Sequence, residues 1–219
     1  MNDIQKQLDK ILANEIEFDI SIIDESCNIV GFLKPITTRH LNCDEVIEKL
    51  TAWRNANMEN FLTQFVATTD RTRDWIKNIL LTTKGQMLFL IYSQNKIIGH
   101  YGFKELTKDY ALLDNAMRGE RDGHPKLMVY AGKAIVAWLF KNANVNEVRA
   151  EVMADNVSAI MLTTQIGFAN KTRHPLKQVT VNNETNWLIG DKDEISGFGK
   201  YYLKYSISKH DHEYISIRN

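Results

Sequence analysis

Tyr110-Ala-Leu-Leu-Asp-Asn-Ala-Met117, followed by Arg118-Gly-Glu-Arg-Asp-Gly-His-Pro-Lys126, is the stretch whose reading decides the fold of this chain. The first run carries Leu112, Leu113, Ala116 and Met117 in a segment too short for a helix, which predicts a largely buried strand. After the second run, Leu127, Met128, Ala131, Ile135, Trp138 and Leu139 recur at spacings of one, three and four, the pattern of a helix burying one face. Pro125 suits the first turn of that helix, where a missing N–H has no intrahelical partner to lose. The order is strand, basic glycine turn, helix. Free N–H groups and the positive end of the dipole make such a helix start a receptacle for phosphate. An ordinary strand-to-helix connection is the bland alternative, since neither G-x-G-x-x-G nor a turn ending in Gly-Lys-Ser/Thr is present.

Downstream, Glu147 to Met153 alternates with Val148, Ala150 and Val152 on one face, as in a half-buried strand. Asp155 or Asn156 then caps a helix carrying Ala159, Ile160, Leu162 and Ile166, which stops at Gly167 before Phe168. Together with the turn, Asp155-Asn156-x-x-Ala159-x-x-Leu162 and Ile166-Gly167-Phe168 resemble the GNAT acyltransferase superfamily over residues 28 to 208. The resemblance implies an α/β (mixed α+β) fold: a splayed, mostly antiparallel mixed sheet flanked by helices, here with an extra N-terminal helix. It implies a single domain over 1–219, with 1–27 as an N-terminal extension.

The same resemblance implies acetyl-CoA as acetyl donor. An amide near Met117 would polarise the thioester carbonyl, and the turn from Arg118 and Gly119 onward would hold the pyrophosphate. The backbone of Arg121, Gly123, His124 and Lys126 would contribute, with charge-assisted contacts from Arg118, Arg121 and Lys126. Asn156 and Thr163 on the following helix complete the implied cofactor set. Two departures stand out. No window of the turn satisfies the family's full glycine pattern, so side-chain cations would replace part of the amide cradle. Thr163 occupies the place of a tyrosine acid, and a threonine hydroxyl is too weak an acid to protonate a thiolate in the same way, although it could hold a water or contact pantetheine.

Composition narrows the alternatives. Lys+Arg 27 against Asp+Glu 27 gives no net charge, which argues against a nucleic-acid-binding module. Cys27 and Cys43 make no disulfide framework, no Cys/His spacing suggests zinc, and His210 and His212 read as a solvated pair in a polar tail rather than a metal site. No apolar run approaches the ~20 residues of a membrane span, and no signal peptide is visible, so the cytoplasm is the expected compartment.

The first third predicts a helix through Ile4, Leu8, Ile11 and Leu12, strands at Phe18–Ile23 and Ile29–Ile36, and a helix from Asp44 through Trp53. Another helix capped at Thr69-Asp70 runs through Leu80, with Trp75, Ile76 and Ile79 on one side. Met87–Tyr92 and Lys96–Phe103 pair as a hairpin, with Gly99 and Gly102 marking a bulge or a close backbone approach. Late strands Val179–Val181 and Tyr201–Ile207 could pair two copies into a homodimer, or equally be covered by loops.

Acetyl transfer to an amine needs a proton sink and an oxyanion donor. Asp114, an acid inside an apolar strand, is the first choice as base or ammonium anchor, with His100 and Glu105 as alternates and a plain structural role for Asp114 equally open. The family places the acceptor beside Asn60 to Asp70, where Phe61, Phe65, Arg71 and Trp75 are the candidate contacts, Trp75 more simply as core. The turn and the Thr69–Trp75 helix start resemble the GNAT branch that acetylates nucleotide-linked amino sugars, implying a UDP- or dTDP-linked 4-amino-4,6-dideoxyhexose as substrate. Competing readings are a protein N-terminus, a polyamine, an aminoglycoside, or a non-catalytic CoA-binding domain.

Overall fold

The computed structural model describes residues 2–182, 184–192 and 194–212. Helix α1 (Asn2–Leu12) buries Leu8, Ile11 and Leu12 in the main core, so the extra N-terminal helix seals one face of the sheet. Strands β1 (Ile20–Ile23) and β2 (Ile29–Pro35) form an antiparallel hairpin. Its turn is closed by the Asp24 carboxylate, which accepts from the amides of Ser26 and Asn28. Helix α2 (Asp44–Ala56) leads through the two-residue strand β3 (Thr63–Gln64) to α3 (Thr69–Trp75). The α3 cap is the Thr68 hydroxyl rather than Thr69 or Asp70, and the helix widens into a π turn over Ile76–Leu80. Ile76 is fully buried but Ile79 is 50% exposed, so Ile79 leaves the side expected for it.

Strands β4 (Met87–Ser93) and β5 (Lys96–Lys104) join through Gln94 and Asn95, both at positive φ, as a tight hairpin turn requires. Both readings of the β5 glycines hold: the β4–β5 register shifts beside Gly99, and Cβ atoms at Gly99 and Gly102 would overlap the carbonyls of Met117 and Met87. Strand β6 (Tyr110–Arg118) runs into the turn, and α4 (Leu127–Trp138) follows. Pro125 therefore lies before the helix, not in its first turn: Lys126 is the N-cap, and its amide donates to the His124 ring. Strand β7 (Glu147–Met153) and α5 (Val157–Ile166) complete the region read from the sequence, α5 ending at Gly167 with φ 122°.

The remaining strands are β8 (Asn170–Val181), β9 (Glu184–Ile189) and β10 (Tyr201–Ser208). The sheet order is β1-β2-β4-β5-β6-β7-β10-β8-β9-β3, and β6–β7 is its one parallel pair among the described strands. The mostly antiparallel mixed sheet is thus as expected. The late strands differ in part: β10 lies between β7 and β8 and has no free edge, whereas Val179–Val181 of β8 pair with β9 alone, because the β10 ladder on β8 ends at Pro175.

Two large cores cover the two faces, and Met153, Leu176 and Trp187 form a smaller third cluster. Helices α1, α4 and α5 close the larger one, while α2 and α3 close the other around Ile36, Ile47, Leu50, Leu88 and Leu90. Helix α2 also presses Trp53 onto the turn, where a Cβ on Gly119 would overlap the indole ring. Gly119→Ala is expected to lose about 1–3 kcal/mol of stability, measured by urea denaturation, because neither the ring nor the strand end has room to move.

Candidate active site

Strands β6 and β7 pair from Tyr110–Glu147 to Leu113–Ala150 and no further. Beyond that rung β6 continues to Arg118 and β7 to Met153, so the sheet opens between them. A bulge in β6 accompanies the opening: Asp114 to Met117 spans three steps against two on β5, Gly102 to His100. The extra residue reverses the alternation, so Ala111 and Leu113 face the larger core whereas Met117 faces α2. Asn115 takes the strained position at φ 55°.

His100 pins this bulge. Its Nδ1 lies 2.7 Å from the Asn115 carbonyl, which can only accept, so Nδ1 carries the proton. The ring is 5% exposed and stacks on Trp53. Burial lowers its pKa to about 4, with the Asn115 bond opposing the shift. Neutral in the neutral range and bonded to the Asn115 carbonyl, the ring supports the bulge, and so low a proton affinity fits poorly with the proton sink considered from the sequence. Glu105 also lies apart from the opening: it is exposed past the end of β5 and accepts from the Tyr110 hydroxyl at 3.3 Å. Asp114 does sit at the opening, held by Lys104 at 3.2 Å and the Asn115 amide at 2.7 Å.

The glycine turn is organised by Arg118. Its Nε donates to the carbonyl of Glu120, and its two terminal nitrogens donate to those of Arg121, Asp122, His124 and Pro125, at 2.9–3.2 Å. All five guanidinium donors are therefore committed. That engagement corrects the direct phosphate contact expected of the Arg118 side chain. With five carbonyls gathered inward, the amides of Arg121, Asp122, Gly123, His124, Met128 and Val129 have no hydrogen-bond partner among the described residues. This row of donors at the start of α4 fits a diphosphate.

Other cations are differently placed. Arg121 is exposed, while Lys126 is paired with Glu25 of the β1–β2 turn at 2.8 Å. His124 accepts from the Lys126 amide and packs on Tyr130. Asn156 caps α5 by accepting from the Ala159 amide, and Thr163 is 3% exposed within α5.

On the acceptor side, Phe65 is sandwiched between the guanidiniums of Arg54 and Arg71, 3.8 and 3.3 Å from its centroid. Phe61 also lies under Arg54, and Trp75 packs on the α2 core, the simpler of its two readings. Arg71 makes a two-pronged ion pair with Glu184. Arg54, not singled out from the sequence, holds the carbonyls of Thr63 and Phe65. Glu151 and Tyr202 were missed too; the outward face of β7 was legible, but not which strand lies beside it. His212 packs on Phe140, and no cluster of three metal-ligating side chains occurs among the described residues.

A model of the acetyltransferase (GNAT) domain matches residues 45–187. The chain belongs to the GNAT acetyltransferases. It is an acetyl-CoA-dependent N-acetyltransferase, and the free amides before α4 suit the donor's diphosphate. No curated protein matches its sequence. Among solved GNAT structures, FdhC, a nucleotide-linked sugar GNAT, shares 12% identity over 93% of this chain and 97% of its own, with TM-score 0.59. The spermidine N-acetyltransferase from Vibrio cholerae, solved with CoA and spermine, shares 14% over 84% and 98%, with TM-score 0.60. The Salmonella typhimurium enzyme that modifies the N-terminal serine of a ribosomal protein shares 12% over 87% and 99%, with TM-score 0.58. At these identities the likeness is one of fold.

Arg118→Lys, with three donors on a point charge in place of a five-donor fork, is expected to weaken CoA binding about tenfold, read by calorimetry. His100 gives a pH signature. Its folded pKa, about 4, lies below the ordinary 6.5, so its contribution is complete above pH 6.5 and is lost as pH falls through that window towards 4. The loss is on the order of 3 kcal/mol. His100→Asn, which keeps a donor for the Asn115 carbonyl, should flatten that part of the stability–pH curve.

Proposed function

We propose that this GNAT enzyme, one domain over residues 1–219, acetylates the primary amine of a UDP- or dTDP-linked 4-amino-4,6-dideoxy sugar in surface-polysaccharide synthesis. The observation that carries the acceptor class is the charge of its wall. Arg54 and Arg71 flank Phe65, and Glu184 is the carboxylate that pairs with Arg71. Burial first, then the charge of Arg71, lowers the pKa of Arg54, so this is a crowded cationic site. An anionic diphosphate would relieve it, whereas a polycationic acceptor such as spermidine would add to the repulsion.

In this reading the six free amides and the dipole of α4 hold the donor's diphosphate. Acetyl-CoA supplies an acyl group activated as a thioester. The opened edge of β6 beside Met117 orients it, Asp114 serves as base or ammonium anchor, and Arg71 and Arg54 meet the acceptor's phosphates. Thr163 lacks the acidity to protonate a thiolate, whose modest basicity lets it leave unassisted.

A panel of UDP- and dTDP-linked amino sugars, spermidine, an aminoglycoside and peptide N-termini, offered with acetyl-CoA and read by product mass, tests the acceptor. A nucleotide-linked sugar should exceed spermidine by about 100-fold or more in kcat/KM, the size of effect set by paired rather than opposed charges. Arg71→Gln should raise KM for that sugar several-fold while leaving KM for acetyl-CoA unchanged. Preference for spermidine or a peptide would refute the acceptor class.

A further inference from the structure

The rung that β6 and β7 fail to form is made of two carboxylates. The last pair is Leu113–Ala150, so the next residues in register are Asp114 and Glu151. They share a face: Val148 and Ala150 point into the larger core, so Glu151 and Met153 point away from it, as Asp114 does relative to Ala111 and Leu113. That common face carries the acceptor side of the opening. Glu151 meets Lys204 of β10 at 3.5 Å, and Asp114 meets Lys104 of β5 at 3.2 Å. The other charges on this face of β7 are Glu147 and Arg149, which pair with each other, Arg149 also lying over the Tyr110 ring.

Each carboxylate is only a third exposed or less and holds a single lysine, so both keep acceptor capacity for a further cation entering where the strands part. Tyr202 reports how near both charges are: burial first, then Glu151 and Asp114, raise the pKa of its phenol. Tyr202 packs with Met153, Leu176 and Trp187 on this wall. The Trp187 indole N–H, in a side chain more than nine-tenths buried, has no hydrogen-bond partner among the described residues. That donor belongs to the same apolar cluster as Met153 and Tyr202.

We propose that Asp114 and Glu151 form a two-carboxylate clamp for the ammonium of the acceptor, with Glu151 the group that takes its proton. The clamp rests on the N-acetyltransferase reading and deepens it by dividing two roles. Asp114 already receives the Lys104 ammonium and the Asn115 amide, which hold it as a charged anchor. Glu151 has one long ion pair and is the more enclosed of the two, so it is the carboxylate less engaged by its neighbours. In the step, an N–H bond of the ammonium breaks and an O–H bond forms on Glu151. The products are a neutral amine with a free lone pair and a neutral carboxylic acid.

The test uses the full chain with acetyl-CoA and whichever panel amine it acetylates fastest. Glu151→Gln should lower kcat about 100-fold, the usual share of a positioned base, with KM for the amine within threefold and the lost rate recovering as pH rises. Asp114→Asn should instead raise KM for the amine about tenfold, as expected for one lost charge-assisted contact. Thermal stabilisation by CoA should persist in both, showing the donor site intact. Glu151→Asp, which keeps the carboxylate, should retain more activity than Glu151→Gln and serves if the glutamine variant fails to fold. A kcat for Glu151→Gln within threefold of the parent, or equal rates for the aspartate and glutamine variants, would overturn the clamp. Loss of activity in Glu151→Gln with a peptide as best acceptor would keep the clamp and discard the nucleotide-sugar assignment; an unaffected variant with a nucleotide sugar would do the reverse.

Discussion

The donor site depends on the satisfaction of one guanidinium. Arg118 ends β6 and collects five turn carbonyls, which no regular ladder would satisfy in a segment without secondary structure. Turning those carbonyls inward leaves six amides facing other ways at the start of α4. A turn without the family's full glycine pattern thereby presents a row of donors by side-chain bonding as well as by backbone freedom. The cation's contribution to anion binding is its field and its shaping of the backbone, since none of its N–H groups remains for a ligand.

The second requirement is that β6 and β7 part company at a fixed rung. A parallel pair inside an antiparallel sheet has no reason to stop at Leu113–Ala150 unless one strand changes direction, and the Asn115 bulge supplies the change. Asn115 at φ 55° is strained, and the His100 bond to its carbonyl holds it there. Burial against Trp53 keeps that imidazole neutral, so its donor is available across the pH range in which acetyl transfer to amines proceeds.

Local patterns made the central fold legible. The alternation of Glu147–Met153, the 3.6 periodicity of α4 and the Gly167 stop each follow from neighbours in sequence, and each element appears where those patterns place it, with α4 starting two residues late. What depends on distant partners was not legible. Arg118 read as a phosphate ligand because its charge is visible in sequence and its five carbonyl partners are not. His100 read as a possible base because burial and the bulge are tertiary facts. Tyr201–Ile207 read as an edge because its two neighbours, β7 and β8, are set by pairing between segments distant in sequence. Glu151 was overlooked for the same reason: its importance comes from standing opposite Asp114, and register between parallel strands far apart in sequence leaves no mark on either.

One short segment of α2 ties donor and acceptor sides together. Trp53 packs on Gly119 of the turn and on His100 beneath the bulge. Arg54, the next residue, holds the carbonyls of Thr63 and Phe65, and Asn55 exchanges two hydrogen bonds with Ala67. Asn57 then reaches the Trp53 carbonyl and the Met117 sulfur. Because successive helical residues point about 100° apart, Trp53 and Arg54 address two different sites from one rigid backbone. The wall from Phe61 to Ala67 has little regular structure of its own, so α2 fixes its distance from the opened strand. Movement of this helix would shift the turn, the bulge and the acceptor wall together, which makes the spacing between acyl donor and amine a property of α2 packing rather than of any loop.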